Sequence, residues 1–385
     1  MKGQRPRRIL RLVTRLNVGG PTRHVRLLQG GLDPAEFTQL LVHGSCEAGE
    51  GEAVLEVPGD QLHISDLRRD ISLLRDRRAL GRLRSVMKSW APDLVHTHQG
   101  KAGLLGRRAA AALGIPAVHT YHGHTFSGYF GPIKGCLIRA SERWAARRSR
   151  ALICQSASQE EDVRTALGRA ALGPTGEGRT RVIAPAFDPA ALELPAEPCD
   201  LRQELGTPPG RKVVLLPARL VMIKRPDRAL KLLAALQHLL DVELWVAGEG
   251  PLAHEVTMLA KLLDIESRVR WLGYRPSLQP LLAGADLVLL TSAAEGTPLA
   301  LIEAMAFGVP VACTEVGGVA DIIGDTGTLL PPDVAPESWA PALHALLTDE
   351  ALLEARSRSG LERARREYSH ERLVKEIAEL YRGIL

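Results

Sequence analysis

The chain reads as an α/β protein made of two doubly wound parallel-sheet domains. Short apolar runs of strand length alternate with longer stretches of helical periodicity through both halves, the order in which a crossover helix returns each strand parallel to the last. A Pro- and Gly-rich break at residues 185–210, carrying Pro195, Pro198, Pro208 and Pro209, interrupts this alternation. The 385 residues also exceed what one hydrophobic core usually encloses, so two cores are expected.

In order, the strands expected in the first half are 9–13, 40–43, 93–96, 117–120, 151–154 and 181–184, with helices such as 104–113 and 158–167 between them. The pattern restarts at 212–217 and continues through 242–247, 269–272, 287–290, 309–313 and 328–330. A long helical run at 350–366 and a last one at 370–385 close the chain. No repeat of solenoid length is present. The partition is therefore 1–190 as a first domain, 191–210 as linker, 211–368 as a second domain and 369–385 as a terminal helix.

Composition narrows the class. With 45% hydrophobic and 24% charged residues the chain resembles an ordinary water-soluble protein. No apolar run reaches the ~18 residues of a membrane span. The basic start, Met1-Lys-Gly-Gln-Arg-Pro-Arg-Arg8, leads into an apolar stretch broken by Arg11 and Arg15, so it lacks the core of a signal peptide. Five scattered cysteines, Cys46, Cys136, Cys154, Cys199 and Cys313, read as cytosolic thiols, and a cytoplasmic location is expected. The net charge of +5 is uneven: residues 1–200 hold 29 Lys+Arg against 20 Asp+Glu, and residues 201–385 hold 20 against 24. Arg139, Arg143, Arg147, Arg148 and Arg150, with Trp144 among them, are placed on one helix. The favoured reading is a solvated Arg-rich face; peripheral contact with an anionic membrane is the alternative.

The segment Ser292-Ala-Ala-Glu-Gly-Thr-Pro-Leu-Ala-Leu-Ile-Glu-Ala-Met-Ala-Phe-Gly-Val-Pro310 carries the most chemistry. It follows a buried strand and holds a carboxylate (Glu295), a Gly296-Thr297-Pro298 turn, and a second carboxylate (Glu303) inside the next helix. Pro298 suits the helix start, whose free N–H groups and positive dipole, near Leu299, favour a diphosphate. Both carboxylates can face one ligand.

This arrangement resembles the Glu-x7-Glu signature of the retaining GT-B glycosyltransferases, the large bacterial family of group 1 enzymes of polysaccharide and glycoconjugate biosynthesis. The resemblance implies two Rossmann-like domains facing across a cleft, the last helix crossing back onto the first. It also implies a nucleotide-sugar donor, UDP- or GDP-linked, on the C-terminal domain. Pro217-Ala-Arg-Leu-Val-Met-Ile-Lys-Arg225 looks like the family's Arg-Leu-x-x-x-Lys motif, which makes Arg219 and Lys224 the cations that hold the diphosphate and stabilise its departure. By the same resemblance Glu303 binds the ribose, Glu295 meets the donor sugar, and Gly248 and Gly250 of Ala247-Gly-Glu-Gly-Pro251 lie near the nucleotide with the backbone at Leu272. Ala184-Pro-Ala-Phe-Asp188 departs from the Asn-Gly-x-Asp run of many relatives.

In the first half, Gly19 and Gly20 of Leu16-Asn-Val-Gly-Gly-Pro-Thr-Arg-His24 resemble the family's Gly-Gly loop, which faces the donor diphosphate. The spacing is not Gly-x-Gly-x-x-Gly, so a dehydrogenase reading is poor. Two further clusters, Val95-His-Thr-His-Gln-Gly-Lys101 and His119-Thr-Tyr-His-Gly-His124, resemble family segments. They make His122 the active-site histidine and give His98 and Lys101 to an acceptor that is a sugar, a lipid-linked sugar or a small molecule. The histidines invite a zinc reading, but no carboxylate or Cys set stands at ligand spacing, and Asp-x-Asp is absent, so no metal and no cofactor are expected. The alternatives are a nucleotide-sugar 2-epimerase and a non-enzymatic nucleic-acid binder. The second explains the basic first half but none of the motifs, and aromatic content of 4% offers few stacking platforms, so no nucleic acid is expected.

Overall fold

Most inner strands are buried along their length, as expected where helices cover both faces of a sheet, and all strand pairs among the described residues are parallel. The structure is a computed structural model that describes residues 5–17, 19–47, 57–123, 132–168, 172, 179–189 and 201–385. The chain divides into two units, Met1–Pro185 with His370–Leu385, and Ala186–Ser369. Among the described residues no helix is long and apolar enough to cross a membrane.

In the first unit the strands are β1 (Arg7–Val13), β2 (Phe37–His43), β3 (Asp60–His63), β4 (Leu94–His98), β5 (Ala117–Thr120), β6 (Ala151–Cys154) and β7 (Thr180–Val182), in the order β3-β2-β1-β4-β5-β6-β7. Alternation along β1 and β4 sorts their side chains to two faces. Leu10, Leu12 and Val95 face one way and pack with Leu80, Leu83 and Met87 of helix Leu73–Trp90 and with Leu105 and Ala109 of helix Gly100–Ala112. Arg11, His96 and His98 face the other way. The Arg11 guanidinium is fully buried there and donates to Gln29 (3.0 Å), Gln39 (2.9 Å) and the Tyr381 hydroxyl (3.3 Å).

Tyr381 belongs to the last helix, His370–Ile384, which buries Leu373, Ile377, Ala378 and Tyr381 on the first unit. His370 Nε2 lies 2.9 Å from the Leu27 carbonyl, and Arg372 donates to the carbonyls of Ala184 (2.6 Å) and Pro185 (3.0 Å). The helices approach closely at Gly31, where an added Cβ would lie 2.4 Å from Val374 Cγ2. β3 is absent from the sequence reading because it is an edge strand, largely exposed, whose Asp-Gln-Leu-His carries no apolar run. The Arg-rich helix also differs from expectation. It ends at Ala146, so Arg147, Arg148 and Arg150 lie beyond it; Arg148 turns back over the Trp144 ring at 4.2 Å.

In the second unit the strands are β8 (Lys212–Pro217), β9 (Val242–Ala247), β10 (Val269–Gly273), β11 (Leu287–Leu290), β12 (Val311–Thr314) and β13 (Thr328–Leu330), in the order β10-β9-β8-β11-β12-β13. The described part of the 191–210 run does not behave as a free linker. Leu201–Glu204 is helical, and Arg202 ties it to the sheet through the Gly284 carbonyl (2.7 Å) and the Asp286 carboxylate (2.5 Å). Each sheet reverses its order next to its first strand, between β1 and β4 and between β8 and β11. Such switch points leave a crevice outside the strands' carboxyl ends, where ligands of doubly wound sheets bind.

Candidate active site

At the switch point of the second unit, the loop after β8 is stitched to the loop after β11. Ala293 N donates to the Ile223 carbonyl (2.8 Å) and Thr291 Oγ1 to that of Arg225 (2.9 Å). Lys224 closes a 3₁₀ turn, Met222–Lys224, and its Nζ donates to both Glu295 carboxylate oxygens at 2.6 and 2.7 Å. Ser292 Oγ donates to Glu295 at 2.5 Å. Glu295 is buried at 7% exposure, whereas Lys224 retains 26%, so the cation is the member that solvent or a ligand can reach. The partner of Lys224 is thus a buried acid. Arg219 stands exposed on the same β8 loop and makes no ion pair among the described residues.

Pro298 is the cap residue of helix Leu299–Ala306, within which Glu303 is buried. Gly296, Thr297 and Leu299 are half-buried around it. Thr297 Oγ1 is buried without a hydrogen-bond partner among the described residues. A buried hydroxyl left so at a helix start fits a place where a ligand oxygen completes the bonding.

Gly248 and Gly250 have a structural task of their own. An added Cβ would lie 2.1 Å from the Ala218 carbonyl oxygen at Gly248, where φ is +156°, and 2.3 Å from that of Leu220 at Gly250. The two glycines therefore let the loop after β9 lie against the loop that carries Arg219. The Leu272 carbonyl accepts from Arg275 Nε at 3.0 Å, and Tyr274 N donates to Glu249 Oε1 at 3.1 Å.

The first unit is stitched at its own switch point. Gln99, in the left-handed region at φ 65°, accepts from the backbone N–H groups of Thr14 (3.1 Å) and Arg15 (3.3 Å). Gly19, at φ 150°, caps helix Gly20–Gly31. The two histidine clusters of the sequence separate by face. His119 hydrogen-bonds Thr97 (2.9 Å) on one side of the sheet; on the other, His96 bonds Tyr381 (2.5 Å) and Thr120 (2.8 Å). His98 and His122 meet, Nδ1 to Nε2 at 2.9 Å, with Gln155 at 3.4 Å from His122 Nδ1. Burial pulls His122 down to about 3 and lowers His24, His96, His98 and His119 well below the usual imidazole range, with neighbouring Arg11 adding to the effect on His24, His96 and His98. All five rings are neutral near pH 7. His124 lies outside the described residues.

Lys101 does not join this cluster. Its ammonium is held by the Asp76 carboxylate (2.6 and 2.7 Å) and the Asp70 carbonyl (2.7 Å). Its position on helix Gly100–Ala112 turns it toward helix Leu73–Trp90. The residue missed by sequence reasoning is His24, fully buried, whose ring centroid lies 5.0 Å from that of His122 and 5.7 Å from that of His98. Its place four residues past Gly20, one turn into a helix, was the available signal.

The chain is similar to known proteins in both of its halves. Residues 200–365 match the family described as glycosyl transferases group 1, and residues 18–191 that described as glycosyltransferase family 4. The chain is 28% identical over 261 residues to the UDP-Gal:alpha-D-GlcNAc-diphosphoundecaprenol alpha-1,3-galactosyltransferase of Escherichia coli, a match covering 66% of each chain, just under two thirds of that enzyme. Among solved structures it resembles a sucrose-phosphate synthase from Thermosynechococcus elongatus (TM-score 0.82, 20% identity, covering 98% of this chain and 99% of that one). It also resembles Anabaena Alr3699/HepE in complex with UDP (TM-score 0.78, 21% identity, 98% and 100%). The two parallel sheets are those of the GT-B fold, and with both halves of its sequence matched, residues 200–365 by the group 1 model and 18–191 by the family 4 model, the chain belongs to this glycosyltransferase family.

Proposed function

We propose that the protein is a retaining glycosyltransferase that moves a hexosyl or N-acetylhexosaminyl unit from a nucleotide sugar, UDP-linked in preference to GDP-linked, to a sugar, lipid-linked or small-molecule acceptor. The observation that carries this is the buried Glu295 held by Lys224, with Arg219 exposed on the same loop as Lys224 and Thr297 Oγ1 without a partner among the described residues at the helix start. A sugar hydroxyl can take over a carboxylate oxygen of Glu295, which frees Lys224 to turn to the diphosphate. Lys224 and Arg219 then stabilise the charge that builds on the leaving phosphate, and Glu303 accepts hydrogen bonds from the ribose diol. No side chain here is assigned as a covalent nucleophile; the acceptor attacks on the face the diphosphate leaves, and a phosphate oxygen accepts its proton.

The first unit serves the acceptor, with the neutral His122 and His98 as hydrogen-bonding groups. UDP is favoured because the Escherichia coli relative is named for a UDP-sugar and HepE is seen with UDP. The same relative, acting on a diphosphoundecaprenol-linked sugar, supports a lipid-linked acceptor. Metal ions are not needed, since two side-chain cations and a helix start neutralise the diphosphate.

The test is a thermal-shift panel of UDP-, GDP- and ADP-sugars, followed by product analysis with EDTA present. A ligand at 100 times its Kd stabilises by about 2.7 kcal/mol, so the true donor stands out. Transfer to an acceptor with the anomeric configuration kept, in EDTA, is the expected result. A product formed without any acceptor points to an epimerase. Loss of turnover in EDTA, restored by Mg2+, overturns the electrostatic assignment.

A further inference from the structure

His24, His98 and His122 come from three elements, the helix Gly20–Gly31, the end of β4 and the loop after β5, and their nearest ring nitrogens all lie within 4.8 Å of one another. Their hydrogen bonding is incomplete. Both ring nitrogens of His24 are buried without a partner among the described residues, and so is Nε2 of His98. The 2.9 Å contact between His98 Nδ1 and His122 Nε2 uses one proton whichever ring donates it. Either choice leaves His98 Nε2 as a buried orphan. Buried polar atoms are nearly always satisfied, and a bound ion can satisfy several converging imidazole nitrogens at once. By contrast His96 bonds through both ring nitrogens, to Tyr381 and Thr120, and His119 bonds Thr97 through Nδ1.

A tetrahedral site with nitrogen ligands about 2.05 Å from a metal places those nitrogens roughly 3.3 Å apart. The three ligand nitrogens lie within 4.8 Å of one another, an outer limit above that value, so ring rotations that draw them inward, with the His98–His122 contact released, complete the set. Gln155 can supply the outer contact. With its amide turned over, its carbonyl oxygen accepts from His122 Nδ1–H and fixes Nε2 toward the metal, as outer partners of zinc-bound imidazoles do. The rings are neutral, the form that coordinates. Against this stand Arg11 and Arg372, whose positive charges act on His24, and the lack of a carboxylate ligand. The site therefore binds modestly and selects nitrogen-preferring Zn2+, Co2+, Ni2+ or Cu2+ over Mg2+, Mn2+ or Ca2+.

We propose that His24, His98 and His122 form a three-imidazole site for a borderline divalent metal such as Zn2+, and that filling it inhibits transfer by taking His122 and His98 out of use. The inhibitory half rests on the reading of these two histidines as groups that serve the reaction. The site itself does not, and it is separate from the diphosphate, which needs no metal.

The full-length chain, freed of metal with a chelator, is titrated with Co2+ and then with Zn2+. Expected are visible ligand-field bands of four-coordinate Co2+, saturating at one ion per chain and erased by Zn2+. His24→Gln and, as a second variant, His98→Gln should each weaken the affinity at least about tenfold. The wild-type titration stands even if a variant fails to fold. Absence of the bands, or bands unchanged in both folded variants, overturns the site and leaves the reading of His122 untouched. Turnover is measured at each Zn2+ step; activity should fall in proportion to occupancy and return with EDTA. Full occupancy with full turnover overturns the inhibition, and with it the use of His122 and His98 in transfer.

Discussion

Replacing Lys224 with Met removes the cation and keeps much of the aliphatic volume. In the native protein the ammonium holds both oxygens of a carboxylate that is 7% exposed, so the variant strips the Lys224 charge from a buried carboxylate that also accepts from the Ser292 hydroxyl. Breaking a fully buried pair costs roughly 3–5 kcal/mol; with Lys224 a quarter exposed, about 2 kcal/mol is expected. In a unit of this size that lowers Tm by roughly 4–8 °C. Glu295→Gln on the same background removes the stranded charge and should recover at least half of the loss. Turnover should respond differently: either single change lowers kcat about 10²-fold or more, and the double variant recovers none of it. Circular-dichroism melts and initial rates on the four proteins of the cycle supply both readouts. If the double variant melts no higher than Lys224→Met, the two side chains are not coupled. If its turnover returns along with its stability, their role is only structural.

Three further outcomes follow from the same geometry. Glu303→Gln should weaken free UDP in calorimetry by about tenfold or more, whereas Glu295→Gln should leave UDP affinity within about twofold and impair donor turnover; equal effects on UDP would remove the distinction between ribose and sugar contacts. Gly248→Ala should destabilise the second unit by more than about 2 kcal/mol in urea titration, because its Cβ would meet a backbone carbonyl at 2.1 Å in a backbone conformation that L-residues rarely adopt; a neutral effect would show that the β8 and β9 loops are free to part. His24, His96, His98, His119 and His122 have folded-state values below their unfolded value near 6.5, so their contribution to stability is present above that pH and is lost as pH falls below it. Each adds a slope approaching about 1.4 kcal/mol per pH unit, and urea midpoints measured from pH 7.5 down to 5 should fall steeply below 6.5; a flat profile would mean that the rings are protonated in the folded protein.

The sheets were legible because their strands are covered on both sides. Residues such as Leu287–Leu290 and Val242–Ala247 are buried throughout, and such runs stand out in a sequence. What escaped follows the same logic in reverse. β3 has one strand neighbour and little cover, so nothing demanded apolar residues there. The Arg-rich stretch hid the end of its helix because charged residues suit a helix face and the turn after it equally well. The Leu201–Glu204 helix was too short for periodicity to show, and the prolines around it read as linker.

The two polar clusters differed in legibility for a reason that lies in their construction. In the second unit, Glu295, Thr297 and Glu303 are consecutive parts of one strand-turn-helix, so local spacing displays them; only the Lys224 partnership needed the folded structure. In the first unit, His24, His98 and His122 are gathered from three elements, and the sequence presents His96 and His119 beside them as apparent equals. Strand alternation separates these two kinds, placing His96 and His98 on the Arg11 face while Thr97 takes His119 on the other. Neither cluster would form without the reversal of strand order beside β1 and β8. That reversal brings the loop after the first strand of each sheet against the loop after the fourth: Gln99 binds Thr14 and Arg15 in one unit, and Thr291, Ala293 and Glu295 bind the Ile223–Arg225 segment in the other. Strand order is a property of crossover connections, not of any residue pair, so no reading of local spacing contains it. Motifs locate the chemistry along the chain, and topology decides which motifs share a site.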